Sequence, residues 1–149
     1  MSKHISKSHN VSLLLYHLVF PTKFRRIVID EAVDTQLKHV CLEIGRRYEI
    51  QFLEIGTDKD HVHFLIQSIP NKSITQLVTT IKSITAKMML EWRPHLKQEL
   101  WGSHLWTSGY YVSTVSKHSN ETVISQYVRK QGRQNEYAQL HKEQLNLFL

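Results

Sequence analysis

Apolar and polar positions along the chain repeat with two different periods, and the change of period separates its elements. Val11 to Phe20 is rich in β-branched and aromatic residues and is followed by Pro21, which predicts a first strand. From Asp30 to Tyr48 apolar residues recur every three or four positions, as in an amphipathic helix. The first two predicted elements are therefore a strand and a helix.

The middle of the chain predicts a hairpin followed by a second helix. Ile50 to Ile55 and His61 to Ile69 predict strands, and the polar residues 56–60 predict the turn between them. Ser73 and Gln76 have the spacing of a capping box, so a helix is expected to begin there and to stop before Pro94. Residues 95–107 are then expected to form a loop.

The last part of the chain predicts one more strand and one more helix. Tyr110 to Val115 has strand composition, and Asn120 and Glu121 are expected to begin a helix that reaches about Lys130. Residues 134–149 are expected to form a polar C-terminal tail of a single domain, 1–149. The first six elements predict an α+β, ferredoxin-like fold, a four-stranded antiparallel sheet with two helices on one face. A C-terminal helix is added to it, and the other face is left for a ligand, a partner or that helix.

Composition narrows the cellular setting and the class of partner. The formal charge is +6 and the pI is about 9.5, which favours a polyanion such as nucleic acid, although a basic surface can also serve solubility alone. One cysteine excludes an internal disulfide and favours a cytoplasmic location. We expect no membrane span and no secretory signal, since no apolar run is long enough and the first ten residues are polar.

Two histidines on the predicted third strand form the first candidate site. His61 and His63 flank Val62, and because side chains alternate faces along a strand, both imidazoles are expected on one open face. Their Cα atoms would lie about 6 to 7 Å apart, close enough to share a metal ion. The alternative is a pair of surface or hydrogen-bonded histidines among the ten in the chain.

The predicted third helix supplies the second part of the candidate site. Tyr127 and Gln131 are four residues apart and therefore share one face of a helix. If the Gln131 amide joined the two histidines on a cation, Tyr127 would lie beside that cation, where its hydroxyl could attack a phosphodiester. The residues themselves leave open that Tyr127 belongs to an apolar contact face with its helical neighbours Val123 and Val128.

Four segments in order resemble the HUH single-tyrosine transposases, the small transposases of certain bacterial insertion sequences. "HUH" denotes histidine, hydrophobic residue, histidine. The segments that carry the resemblance are Thr22 to Arg26, Asp60 to Ile66, Leu105 to Val115 and Tyr127 to Gln131. Each is weak alone, but all four occur in the order that the family has, and the resemblance extends over nearly the whole chain.

The resemblance implies an enzyme that cleaves and rejoins single-stranded DNA at element ends. It implies that His61, His63 and Gln131 bind Mg²⁺ or Mn²⁺, and that Tyr127 attacks the scissile phosphate to give a 5′-phosphotyrosine. It also implies recognition of DNA hairpins and a homodimer, in which the tyrosine helix of family members reaches the partner's histidines. The short segment Ser116 to Ser119 before the predicted helix leaves open whether the helix crosses to the partner here or folds back on its own subunit. Tyr110, Tyr111 and Tyr137 are the other candidate nucleophiles.

Basic side chains are the candidate DNA contacts, although each is equally consistent with solvated surface charge. They are Lys23, Arg25, Arg26, Lys82, Lys87, Arg129 and Lys130. Arg129 and Lys130 flank the candidate nucleophile, which favours a role in positioning the strand.

Other functions remain as alternatives at this point. A related HUH nicking enzyme, either a replication initiator or a domesticated transposase, would carry the same histidines and tyrosine. A non-catalytic single-stranded nucleic-acid-binding domain is disfavoured because the predicted open face of the histidine strand carries no aromatic side chain. A metal-storage or structural zinc role is disfavoured because only two clustered ligands and one cysteine are present.

Overall fold

The computed structural model describes residues 5–7, 10–12, 14–102 and 104–115. The strands are β1 (Ile5–Lys7), β2 (Asn10–Ser12), β3 (Leu14–Pro21), β4 (Gln51–Asp58), β5 (His61–Ser68) and β6 (Tyr111–Val115). The helices are α1 (Glu31–Tyr48), α2 (Ile74–Trp92) and the one-turn α3 (Leu96–Glu99), and a 3₁₀ turn spans Lys23–Arg25. The predicted third helix and the tail 134–149 lie outside the described residues.

Four strands form one antiparallel sheet in the order β4-β5-β3-β6, while β1 and β2 pair separately. This order places the first and third strands of the sheet at its centre, as in the ferredoxin-like plan. Leu18 pairs with Phe64 on one side and with Val112 on the other. The predicted fold class is confirmed for the part of the chain that the structure describes.

Three predicted boundaries were wrong. The first predicted strand, Val11 to Phe20, is divided, because its first residues belong to β2 and pair with β1. β4 continues through Gly56 and Thr57, which pair with His63 and Val62, so the turn is only residues 59–60. The predicted loop 95–107 contains α3, which follows Pro94. Strand pairing determines the ends of the first two segments, and the buried side chain of Leu96 accompanies the helix in the third. Local composition indicated neither.

Each of the two long helices begins at a side-chain cap. Asp30 accepts a hydrogen bond from the backbone N–H of Val33 at 2.8 Å and begins α1. Ser73 and Gln76 form the predicted capping box, with bonds of 3.1 and 2.8 Å, and begin α2. α2 ends at Trp92, before Pro94, as expected.

Both helices pack on one face of the sheet over an aromatic core. Phe64 lies edge-on to Phe20 and Phe52, with ring centroids 5.2 and 5.5 Å away. Trp106 packs against Phe20 at 5.8 Å, and its indole N–H donates to Thr85 on α2 at 2.8 Å. Cys41 on α1 is fully buried in this core, and burial raises the pKa of its thiol. The helix-covered face is therefore a continuous apolar layer.

Candidate metal and nucleic-acid site

The two histidines of the HUH triplet lie side by side at the start of β5. Val62 and Phe64 are fully buried and point into the helix-covered core. His61 and His63 point to the other face, where their ring centroids are 4.8 Å apart with an interplanar angle of 74°. The predicted alternation of this strand is confirmed, and it brings two imidazoles within reach of one ion.

The other face of the sheet, which the fold plan leaves for a ligand, a partner or the third helix, is buried at several positions of β5. His63 is 4% exposed and Gln67 is fully buried. A second apolar cluster on this face takes one residue from each strand of the sheet: Leu15, Leu53, Leu65 and Val115.

Asp60 orients the first histidine. Its Oδ1 lies 2.7 Å from His61 Nδ1, and its Oδ2 accepts a hydrogen bond from Arg25 Nε at 3.1 Å. The hydrogen bond from His61, with a smaller effect of Arg25, holds the pKa of Asp60 below its usual range. A carboxylate on Nδ1 favours the tautomer in which Nε2 keeps its lone pair, which is how histidine usually binds a metal.

His17 on β3 contacts the second histidine and was missed by the sequence analysis. Its Nε2 lies 3.4 Å from His63 Nδ1, and the two rings are nearly parallel, with centroids 5.6 Å apart. Both rings are buried, and burial, followed by the charge of neighbouring His61, lowers the pKa of His63 to about 4. His63 is therefore neutral at pH 7, the state that a metal ligand requires.

Among the described residues, no group of three histidine, cysteine, aspartate or glutamate side chains could hold a metal ion. The histidine pair supplies two ligands, and the predicted third ligand, Gln131, lies outside the described residues, as do Tyr127, Arg129 and Lys130. Two adjacent imidazoles, one oriented by a carboxylate, are a donor set that suits a divalent transition ion. The residues present therefore fit a divalent metal as part of a larger site.

One alternative nucleophile lies beside the histidines. Tyr111 begins β6, is 56% exposed, and its ring contacts His17 edge-on at 5.9 Å. Tyr111 and His63 both pair with Val19, from opposite sides of β3, so their side chains share a face. Tyr110 is 38% exposed, and its ring lies near Lys82, whereas Tyr137 is outside the described residues.

Three candidate DNA contacts, Lys23, Arg25 and Arg26, lie on the 3₁₀ turn that follows β3 or directly after it. Lys23 Nζ is 5.2 Å from the centre of the Phe24 ring, and the Arg26 guanidinium lies 4.0 Å from the ring centre of Trp101. Arg25 bonds to Asp60, which joins this turn to the histidine site. All three charges therefore lie on one connected surface.

The two candidates on α2 differ from each other. Lys82 Nζ donates to the backbone carbonyls of Thr107, Ser108 and Gly109 at 2.8 to 3.3 Å, and burial lowers its pKa. All three of its donors are thus engaged in holding the segment before β6. Lys87 is exposed to solvent. Neither arrangement tests a DNA contact, so both residues stay predictions.

The sequence profile of the family described as "Transposase IS200 like" matches residues 10–131. The chain belongs to this family. It is 31% identical to the ISDra2 transposase TnpA of Deinococcus radiodurans over 118 residues, which cover 79% of this chain and 84% of that protein. It is 30% identical to the IS200 transposase of Salmonella typhimurium over 120 residues, covering 78% of this chain and 75% of that one.

Solved structures of transposases share the fold. A crystallised Deinococcus radiodurans r1 chain described as a transposase has a TM-score of 0.71 and 33% identity, covering 86% of this chain and 98% of that chain. A REP-associated tyrosine transposase bound to a REP hairpin has a TM-score of 0.58 at 10% identity, covering 86% and 70%. The second likeness concerns the fold alone. None of the described helices of this transposase is long and apolar enough to cross a membrane.

Proposed function

We propose that this IS200-like transposase cleaves and rejoins single-stranded DNA through a covalent tyrosine intermediate, with a divalent cation at the histidine pair. The observation that carries the proposal is the pair itself. His61 and His63 are adjacent on β5, and the Nδ1 of each faces a side chain of the protein, Asp60 or His17. The carboxylate on Nδ1 of His61 favours the tautomer in which Nε2 of that ring can bind a metal.

His61, His63 and Gln131 would hold the metal. When bound, it would polarise the scissile phosphate and offset the charge that develops on it. Two imidazoles and an amide are softer than the oxygen ligands that Mg²⁺ prefers, so intrinsic affinity favours Mn²⁺, while abundance favours Mg²⁺ in the cell.

Tyr127 is the proposed nucleophile. Its phenolic oxygen attacks phosphorus, the bond from phosphorus to the 3′-oxygen breaks, and that oxygen leaves as a 3′-hydroxyl after taking a proton. A tyrosine with a pKa of about 10 is protonated at pH 7, so the phenol must lose its proton as it attacks. In this proposal the proton goes to solvent. A 3′-hydroxyl of another strand then attacks the phosphotyrosine and releases the tyrosine. One phosphodiester is exchanged for another, so no nucleoside triphosphate is consumed.

The substrate and the assembly are part of the same proposal. The net charge of +6 suits DNA, and a tyrosine transposase with the same fold has been solved bound to a hairpin, which supports hairpin ends as the recognised feature. A homodimer with composite sites would supply Tyr127 and Gln131 from the partner's tyrosine helix. Family membership favours a transposase over a replication initiator with the same chemistry.

A covalent-trapping experiment tests the chemistry. Labelled single strands from the flanks of the gene are incubated with the protein, with and without Mn²⁺, and resolved on denaturing gels. The wild type is expected to give a metal-dependent protein–DNA band, and Tyr127→Phe is expected to abolish it. Tyr111→Phe is the matched control, chosen because Tyr111 contacts His17 of the histidine cluster. It is expected to keep the band, since Tyr127 and not Tyr111 is the proposed nucleophile.

Two other outcomes would contradict the proposal. A band lost in Tyr111→Phe but kept in Tyr127→Phe would assign the nucleophile to β6. Hairpin binding by the wild type without any band would favour the alternative function, a binding domain without catalysis.

A further inference from the structure

Two aromatic rings next to the histidine site are exposed to solvent. Phe24 on the 3₁₀ turn is 61% exposed and Trp101 is 74% exposed, and their ring centroids lie 6.3 Å apart. Aromatic rings of this size normally contribute to a core or an interface, because exposing them to water costs free energy. Neither ring belongs to the hydrophobic clusters of the described residues.

One basic side chain lies over each of the two rings. The Arg26 guanidinium lies 4.0 Å from the ring centre of Trp101, and Lys23 Nζ lies 5.2 Å from that of Phe24. Among the described residues, no carboxylate pairs with Lys23 or Arg26. Aromatic faces combined with uncompensated cations match the two chemical features of an unpaired nucleotide, a flat base and an anionic phosphate.

The backbone displays these rings in a conformation that L-residues avoid. Phe24, Arg25 and Trp101 have φ values of 58°, 53° and 57°, in the left-handed region. The turn is held there by Thr22, whose hydroxyl donates to the carbonyl of Arg26 at 2.7 Å. Non-glycine residues held at positive φ often mark a functional surface.

The same turn is joined to the candidate catalytic site. The backbone N–H of Thr22 donates to the carbonyl of Asp60 at 2.9 Å, and Arg25 bonds to the carboxylate of Asp60. That carboxylate in turn holds His61. The turn that carries Phe24 is therefore linked through Asp60 to the strand that carries the histidines.

We infer that Lys23, Phe24, Arg26 and Trp101 form a stacking platform, which binds an unpaired base of the single strand that flanks the cleaved phosphate. The inference rests on the proposed function for its DNA substrate. It adds a binding site distinct from the metal ligands and the nucleophile, and its occupant is an unpaired nucleotide rather than a duplex.

Binding measured without cleavage tests the platform. Fluorescence anisotropy of a labelled hairpin with a single-stranded flank is recorded for full-length protein without metal. Trp101→Ala and Phe24→Ala are each expected to weaken binding about 5- to 100-fold, the usual loss for one stacked base. Binding of a blunt duplex is expected to be unchanged.

Trp92→Ala is the matched control. Trp92 is 40% exposed and stacks with Arg93, whose guanidinium is 4.7 Å from the ring centre, so it has the same chemistry at the end of α2. It is expected to bind like the wild type. Replacing the flank nucleotides one at a time by abasic sites is expected to weaken wild-type binding at one position, and to have no further effect there in Trp101→Ala.

Three outcomes would overturn the platform. Equal binding by Trp101→Ala, Phe24→Ala and the wild type would leave the rings without a DNA role. An equal loss in Trp92→Ala would indicate a general effect of charge or folding. A loss of dimer mass in light scattering, with unchanged DNA affinity, would assign the rings to a contact between two copies. Failure of the proposed chemistry is recognised separately, since it removes the covalent band and leaves these affinities unaffected.

Discussion

At the scale of single residues, the candidate metal site is a chain of contacts rather than an isolated histidine pair. Arg25 holds Asp60, and Asp60 holds Nδ1 of His61. On the other side, His17 contacts Nδ1 of His63. In the tautomer in which His63 Nδ1 carries the proton and donates to His17, Nε2 of His63 keeps its lone pair and can bind a metal. Asp60 thus favours the metal-binding tautomer of His61 before any ion arrives.

Replacing His17 is expected to weaken metal binding without unfolding the protein. His17→Phe keeps a flat ring against His63 but removes its nitrogens, so we expect Mn²⁺ affinity to fall about 10- to 100-fold. Titration of Mn²⁺ by electron paramagnetic resonance measures this directly, and saturating Mn²⁺ should restore cleavage. The control His39→Phe changes an exposed histidine of α1 and should leave affinity unchanged. An equal dissociation constant for His17→Phe and the wild type would make His17 a packing residue only.

The difference between His17 and the HUH pair shows which residues of a site can be predicted from the sequence. His61 and His63 are two residues apart, so strand alternation alone places them together. His17 is 46 residues from His63, and their contact depends on β3 pairing with β5 in one particular register. Local periodicity carries no information about that register. The same reason kept Phe24 and Trp101, far apart in sequence, from being recognised as one surface.

At the scale of elements, α1 depends on a charged cap that also reaches α2. Asp30 Oδ1 accepts from Val33 N–H, and its Oδ2 accepts from Arg93 Nη1 at 2.9 Å. The backbone hydrogen bond from Val33 is the main reason that the pKa of Asp30 lies below its usual value, with a smaller contribution from Arg93. One carboxylate therefore caps the first helix and links it to the residue that ends the second.

The charge of Asp30 is expected to stabilise the fold only above the acid range. Asp30→Ala should lower the free energy of unfolding by about 1 kcal/mol at pH 7. Asp30→Asn keeps an oxygen acceptor and removes only the charge. Because the folded pKa is depressed, the charge contribution is complete above the unfolded value of 3.8 and is lost as pH falls through the folded value.

Urea unfolding at pH 7 and pH 3 measures this dependence. The difference between the wild type and Asp30→Asn should shrink at pH 3. Glu91→Gln, at an exposed position of α2, controls for the loss of a surface charge. A difference of the same size at both pH values would show that the charge of the cap contributes nothing.

Element types were predictable from the sequence, and element ends were less so. α2 begins at the predicted capping box of Ser73, because a cap is a local hydrogen bond, and α1 begins directly after Asp30, where its apolar stripe was predicted to start. The end of β4 was misplaced because Gly56 and Thr57 look like turn residues. They are strand residues here, since Thr57 donates to the buried carboxylate of Asp34 on α1 and both pair with β5. Tertiary contacts overrode local turn propensity.

At the scale of the whole molecule, the sheet order separates the site from the edges of the sheet. β5 and β3, which carry the three clustered histidines, are the two central strands, whereas β4 and β6 are the edges. An edge strand can pair with a second copy without disturbing the centre of the sheet. A dimer built through such an edge would leave both histidine sites intact, as the proposed composite site requires.

Mixing two inactive variants tests whether the tyrosine acts across a dimer. His61→Ala lacks a metal ligand and Tyr127→Phe lacks the nucleophile, so each homodimer is expected to be inactive. If Tyr127 acts on the partner's histidines, a mixed dimer has one complete site and should recover up to about half of wild-type activity per dimer. Coexpression with two affinity tags, followed by the trapping assay, measures it. If the tyrosine acts within its own subunit, the mixed dimer stays inactive.

The burial of Cys41 has a practical consequence for labelling. The chain has one thiol, and that thiol is fully enclosed between α1 and the sheet, with a raised pKa that suppresses the reactive thiolate. Maleimide reagents are therefore expected not to react with the native protein. A cysteine introduced at an exposed position would be the single reactive site, and a fluorophore could be attached there without first removing Cys41.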